Sequence, residues 1–434
     1  MSMKSTFKKE FYSLNGIMFG LTAVFCAAMI LMYAVRTAPY QYNPSSLIGI
    51  WQGFAGANSA LVPENTVIFS EGGYDGQFFF LNAAYLFSPE SGFPPVLDSF
   101  LIRFTRIGFS FLSGLFSAVL GWHHYAVSSA VLLLGFHILS SVCLFKLLPE
   151  KNRPLSILYL FSPFSANANL LLVADSIQAS FFIFTVYLLE KSGINLRSRN
   201  SSLYSVTAYS RRNLFPVLFG TVLLFLLIKE TAVIYILIFL LISLIEGRVG
   251  EGSILALALL AYSAFLVYIH FYMKFFAGTY PLSFIQLSDF PLFGFIKSIK
   301  LENLTSTKPF LREMSKFPLL ILLVLFLCEP LFVFRNFSAG RVMPALLILS
   351  VAPALIAEQG YWLTFDNISR FFTLSIPIYV LSVPVSGERK IRLHTAAVSA
   401  VIFFLFISLM LRTVWIKSPM EFYVKQTDVP HLHR

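Results

Sequence analysis

Two carboxylates set among glycines are the first residues in this chain that could do chemistry. Residues 71–80 read Glu-Gly-Gly-Tyr-Asp-Gly-Gln-Phe-Phe-Phe, with Glu71 and Asp75 beside Gly72, Gly73 and Gly76. Glycine allows backbone conformations that other residues avoid and lets a ligand approach closely. A carboxylate on such a turn can take the proton of an attacking hydroxyl. The plain alternative is an acidic loop with an ordinary glycine turn, and spacing alone does not separate the two. The apolar run that follows, from Phe78 to Phe87, suits a segment lying along a membrane surface.

Charge is scarce elsewhere, so each ionisable residue carries information. The chain of 434 residues is 57% hydrophobic and 12% charged, with a mean hydropathy of +0.75. An average soluble domain carries about twice that charge. A charge at membrane depth is costly and needs a partner or a task. Besides Glu71 and Asp75, the candidates are Arg103, Arg106, Asp175, Lys229, Glu230, Glu329, Asp366 and Arg370. Lys229 and Glu230 read first as a local helix-end pair. Arg370 is either a snorkelling interface residue or a ligand-holding one. Glu329, before Pro330, marks a kink and receives no chemistry. His123-His124 has no third ligand at metal-binding spacing.

The elements that must position these residues are hydrophobic spans. Apolar stretches near the length of a bilayer recur along the whole chain, which predicts an all-α polytopic membrane protein. The first, residues 13–35, is too long for a signal-peptide core and lacks a clear cleavage site, so a retained helix is expected. Lys4, Lys8 and Lys9 before it place the N-terminus in the cytoplasm. After Arg36 no Lys or Arg occurs until Arg103, whereas Glu64, Glu71, Asp75, Glu90 and Asp98 all fall between. Residues 37–122 are therefore expected as a large extracytoplasmic loop with amphipathic or juxtamembrane helices.

Asp98, after Pro94-Pro95, is expected to cap a helix running to Gly121 that brings Arg103 and Arg106 onto one face. That helix is either a short span or one lying along the outer leaflet, and the charge count favours the second. A bundle over residues 126–412 follows, with spans at 126–147, 155–172, 173–189, two within 214–245 jointed at Lys229-Glu230-Thr231, 253–275, 317–334, 342–357, 368–383 and 393–411. This makes about eleven crossings with an outward tail, if the basic stretch 191–213 is cytoplasmic. The loop 277–316, outside by this count, carries lysines and fits the charge rule less well. Residues 413–434 form a tail.

Composition also excludes. The net charge of +11 comes from basic residues in short loops, a topological signal rather than a nucleic-acid patch. Cys26, Cys143 and Cys328 lie within apolar segments, so neither a disulfide framework nor a metal motif is indicated. No P-loop, GxGxxG, GxSxG or HExxH motif is present, against a nucleotide-driven enzyme and a serine or zinc protease.

The motif Gly73-Tyr74-Asp75-Gly76-Gln77-Phe78, with Arg103-Phe-Thr-Arg106, Ile228-Lys229-Glu230-Thr231 and Asn367-Ile-Ser-Arg370, resembles the GT-C superfamily of membrane glycosyltransferases. The likeness is to bacterial mannosyltransferase-like members of the PIG-V and family 39 type. It departs where many members have adjacent or once-spaced acids. The resemblance implies inverting transfer of a mannose-like hexose from a polyprenyl-phosphate donor to an extracytoplasmic lipid, glycan or protein acceptor. In that reading Asp75 is the general base and Arg103, Arg106 and Arg370 receive the donor phosphate. Glu71 places the acceptor or helps to hold a divalent cation, which nothing visible requires. Lys229, Glu230, Gln77 and Asn367 are supporting residues. Short loops lean toward a bacterial inner membrane, with the site facing outward. A transporter or lipid flippase is the competing class and a membrane scaffold a third; no two related halves with interrupted helices are visible in the sequence.

Overall fold

The computed structural model describes residues 3–87, 94–194, 196, 208–273, 288–300, 310, 313–333, 342–384, 388–415 and 420–426. The chain is almost wholly helical, as its apolar runs require. The first helix, α1 (Met3–Thr37), is followed by a folded segment with two short strands, β1 (Ile50–Trp51) and β2 (Val67–Phe69), and a helix α2 (Gln52–Ala57) between them. Next come α3 (Gly76–Phe87), α4 (Phe100–Phe104), α5 (Ile107–Leu120) and α6 (Tyr125–Leu147). The middle holds α7 (Ser156–Leu160), α8 (Pro163–Leu170), α9 (Asp175–Ser192), α10 (Ala208–Ile228), α11 (Ala232–Ile245) and α12 (Val249–Phe271). The last part comprises α13 (Phe293–Ser298), α14 (Lys316–Val333), α15 (Val342–Ile356), α16 (Gln359–Trp362), α17 (Phe365–Phe372), α18 (Ser375–Ser382), α19 (Arg389–Trp415) and β3 (Phe422–Val424).

Among the described residues, four helical stretches are long and apolar enough to cross a membrane: Gly16–Tyr40, Trp122–Leu147, Val249–Phe271 and Arg389–Thr413. Shorter apolar helices cover Ile107–Leu120, Leu214–Ile228, Ala232–Ile245 and Val342–Ile356. Their outer faces carry Phe19, Ile30, Val119, Leu241, Leu260 and Phe404 in the open. Such continuous apolar exposure is compatible with lipid contact rather than water.

Three expected helices are broken, the first of them for a local reason. The run 155–172 divides at Ser162-Pro163, where proline cannot continue the preceding ladder. Ser162 Oγ instead accepts the Ser165 N–H and starts α8. The run 368–383 divides after Phe372 into α17 and α18. The run 98–121 divides at Thr105-Arg106 into α4 and α5. The α10–α11 joint falls at Lys229-Glu230-Thr231, as the sequence suggests. Much of the basic stretch 191–213 and of the loop 277–316 lies outside the described residues.

The segment after α1 folds over one end of the bundle. β1 pairs parallel with β2, and β2 pairs antiparallel with β3, with Ile68 opposite Tyr423. The strand that follows α19 therefore sits on the same end as the first loop. Tyr40 packs edge-on against Phe69 and Phe422, sealing a small separate core. The large core lies within the bundle, and broken helices are tolerated there because their backbone is enclosed by protein.

Candidate functional site

The turn between β2 and α3 takes its shape from glycine. Gly72 is left-handed, with φ +69°, a conformation that favours glycine. At Gly76 a Cβ would lie 2.7 Å from the carbonyl oxygen of Ile48 and 2.8 Å from that of Leu171. The Tyr74 N–H donates to the Gly49 carbonyl at 3.0 Å, and its hydroxyl donates to the Asp366 carbonyl at 2.9 Å. The turn is thus clamped between the first loop, the break after α8 and the start of α17. Asp75 comes directly before α3, where the helix dipole favours an anion.

Asp75 Oδ2 lies 2.5 Å from Nη1 of Arg370 on α17 and 3.2 Å from Nη1 of Arg103 on α4. Each arginine also holds a second carboxylate. Arg103 binds Asp98 through Nε at 2.8 Å and Nη2 at 2.5 Å, the bidentate geometry that guanidinium favours. Arg370 Nε donates to Asp175 Oδ2 at 2.9 Å, and Lys229 Nζ donates to Asp175 Oδ1 at 2.6 Å. The side chains form one chain of alternating sign: Asp98, Arg103, Asp75, Arg370, Asp175, Lys229. Its acids and bases are equal in number, which is how charges are tolerated where water is scarce. Asp175, only 1% exposed, opens α9 and has two cations on its carboxylate.

Burial works against ionisation of Asp75, but the guanidiniums of Arg370 and Arg103 outweigh it and hold the carboxyl below the usual carboxylate range. A carboxylate held this way is charged at neutral pH and a weak base while both arginines remain on it.

These residues border a cavity of about 620 Å³ at the first-loop end of the bundle. Of the residues that the sequence singled out, Glu71, Asp75, Gln77, Arg103, Asn367 and Arg370 line it. Glu71 is exposed and makes no ion pair among the described residues. Gln77 is buried, and its Oε1 accepts the Trp51 N–H at 3.1 Å, so it braces the turn. Arg103 lies over the Phe78 ring at 4.1 Å.

Several sequence expectations change. Arg103 and Arg106 do not share a face, because the helix breaks between them. Arg106 turns to Glu230, with bonds of 2.7 and 2.6 Å, and is not part of the cavity wall. Lys229 and Glu230 are not a pair with each other: Lys229 reaches Asp175 and Glu230 reaches Arg106. Asp98 is not the helix cap; α4 starts after Ser99, and Asp98 Oδ1 accepts the Ser99 N–H and the Arg103 Nε–H. Asp98 and Asp175 are thus site residues that sequence reasoning left without a role there. Arg103 lies a short way along the chain from Asp98 and gives a local hint. Asp175 has no such signal, since Arg370 is 195 positions away.

Among the described residues, no group of three or more His, Cys, Asp or Glu side chains could hold a metal ion. Asp75 and Asp98 are turned onto guanidiniums and Glu71 stands apart, an arrangement that does not fit a divalent cation. No known family, curated protein or solved structure matches this chain.

Proposed function

We propose that the chain is a GT-C-like membrane glycosyltransferase of about eleven crossings, moving a hexose from a polyprenyl-phosphate donor to an extracytoplasmic lipid, glycan or protein acceptor. The observation that carries this reading is the position of Asp75 between Arg103 and Arg370 on the wall of an open cavity. An inverting displacement needs two things in one place. A base must take the acceptor's proton as its oxygen bonds to the anomeric carbon. Cations must also receive the phosphate as the bond from that carbon to the phosphate oxygen breaks. In this reading the incoming phosphate competes with Asp75 for the two guanidiniums. Asp75 loses its partners as the donor binds and becomes a stronger base at the moment it is needed. Asp175 and Lys229 keep Arg370 aimed at the cavity from behind, and Glu71 meets the acceptor.

The test is reconstitution of the purified protein with a polyprenyl-phosphate hexose and a panel of acceptors, read as glycosidic product. Product that depends on Asp75 supports the reading.

A second reading rests on one structural observation. The broken pairs α7–α8 and α17–α18 pack on each other, with Asn167 Nδ2 donating to Ser369 Oγ at 3.1 Å and Phe164 stacked on Phe372. Interrupted helices meeting in a bundle also suit a transporter or lipid flippase. Such a protein would move the lipid across the bilayer in the same vesicles and form no glycosidic bond.

A further inference from the structure

A second cavity, of about 640 Å³, lies at the other end of the bundle, and the proposed reaction does not use it. Its separation from the candidate site follows from the helices. Tyr125 at the start of α6 packs edge-on against Phe80 of the site helix α3. Lys146, near the other end of α6, borders the second cavity about 31 Å further along. Likewise α9 begins at Asp175 in the site and ends by Lys191 at the second cavity.

The walls are apolar, formed by Met18 and Phe19 of α1, Ile138 and Val142 of α6, and Phe145. The rim carries Lys146, Arg153 and Lys191 with the acid Glu190, and Glu150 stands 3.7 Å from Arg153, which leaves the basic residues in excess. Arg153 lies over the Phe145 ring and Lys191 over the Tyr187 ring, so both basic heads stand beside rings that line the cavity. An apolar slot between spans, with basic residues only at its mouth, matches an amphiphile with an anionic head. Its volume is within the range of about 300–1,000 Å³ typical of ligand sites. We propose that this cavity holds an acyl chain of an anionic phospholipid from the leaflet opposite the candidate site, with Lys146, Arg153 and Lys191 around the headgroup phosphate. The proposal requires a membrane-embedded chain but no particular reaction at the other end.

The test uses the full-length protein, delipidated in mild detergent and titrated with phosphatidylglycerol or with phosphatidylcholine of the same acyl chains. Native mass spectrometry reads retained lipid, and thermal unfolding reads stabilisation. Phosphatidylglycerol should bind at least about tenfold more tightly and raise the unfolding temperature. Lys146→Ala and Lys191→Ala should each weaken it about fivefold, as expected for one basic residue near a lipid phosphate. Val142→Trp fills the slot without altering charge and should reduce retention of either lipid, an arm that does not depend on the lysine variants folding well. Equal binding of the two lipids overturns the proposal, as does phosphatidylglycerol retention unchanged in Val142→Trp.

Discussion

Asp75 and Arg370 stand 295 positions apart in the chain and 2.5 Å apart in space. That contact closes the first loop onto the late helix α17. The first prediction concerns Asp75 itself. Asp75→Asn keeps the shape but cannot take a proton at neutral pH. Transfer should fall by roughly 10²–10⁴-fold, the usual worth of a positioned base. Donor affinity should hold or improve, because a competing anion has been removed. Glu71→Gln should cost less. Transfer by Asp75→Asn at the parental rate would move the base elsewhere, with Glu71 the leading replacement.

Arg370→Lys tests the phosphate contact. Lysine keeps the charge but cannot serve Asp175 and a phosphate with one planar fork. Binding of a polyprenyl-phosphate sugar, measured by isothermal titration, should weaken about tenfold or more, as expected when a charge-assisted hydrogen bond is lost. Unchanged affinity would leave Arg370 a structural ion-pair member only.

The pH profile separates the free and donor-bound forms. In the free protein the two guanidiniums, against burial, keep the Asp75 carboxyl below the usual range. Its folded-state value is depressed, so its contribution to stability is present above the ordinary Asp value of about 3.9 and is lost as pH falls through the lower folded one. If a donor phosphate takes the arginines, as proposed, the depression should weaken and the carboxyl should titrate at higher pH. The acid limb of kcat should therefore lie at higher pH than the acid limb of kcat/KM. Coincident limbs would mean that donor binding leaves the Asp75 contacts intact.

Gly76→Ala tests the clamp. The new methyl group meets two backbone carbonyls, neither of which is the flexible end of a side chain. Overpacking of this kind costs about 1–3 kcal/mol. The variant should unfold at lower temperature and lose donor binding together, whereas wild-type stability would show that the turn can shift.

Topology is accessible to labelling. Cysteines introduced at Ser59 and at Glu421 should react with an impermeant reagent from the same side, since β2 and β3 share a sheet. A cysteine at Ser201, in the basic stretch and outside the described residues, should react from the opposite side. Labelling of Ser59 and Ser201 from one side would move the site to the other face of the membrane.

How much of this was legible in the sequence follows from the range of each interaction. Apolar runs and the joint at Lys229-Glu230 are local signals, so the helical class and that break could be read directly. So could the glycine-flanked Asp75, because a tight turn announces itself within a few residues. The identity of its partners could not. Nothing near Arg370 indicates that it bridges Asp75 and Asp175, and nothing near Lys229 indicates that it passes over its neighbour Glu230. Hydropathy read over a whole span hid the breaks at Ser162-Pro163 and after Phe372, although α8, with Asn167 and Asn169, and α17, with Asp366 and Arg370, are each more polar than the helix they adjoin. The pairing of β3 with the first loop was invisible because its few residues carry no pattern of their own.

That pairing also sets an order of events during synthesis. Until α19 has been made and β3 has emerged beyond it, β2 has an open edge on one side. An unpaired edge is a template for wrong partners. The platform under the candidate turn is therefore assembled from the earliest and latest parts of this sequence. A ribosome stalled anywhere between α1 and α19 leaves a protein with most of its bundle built and the floor of its site unfinished.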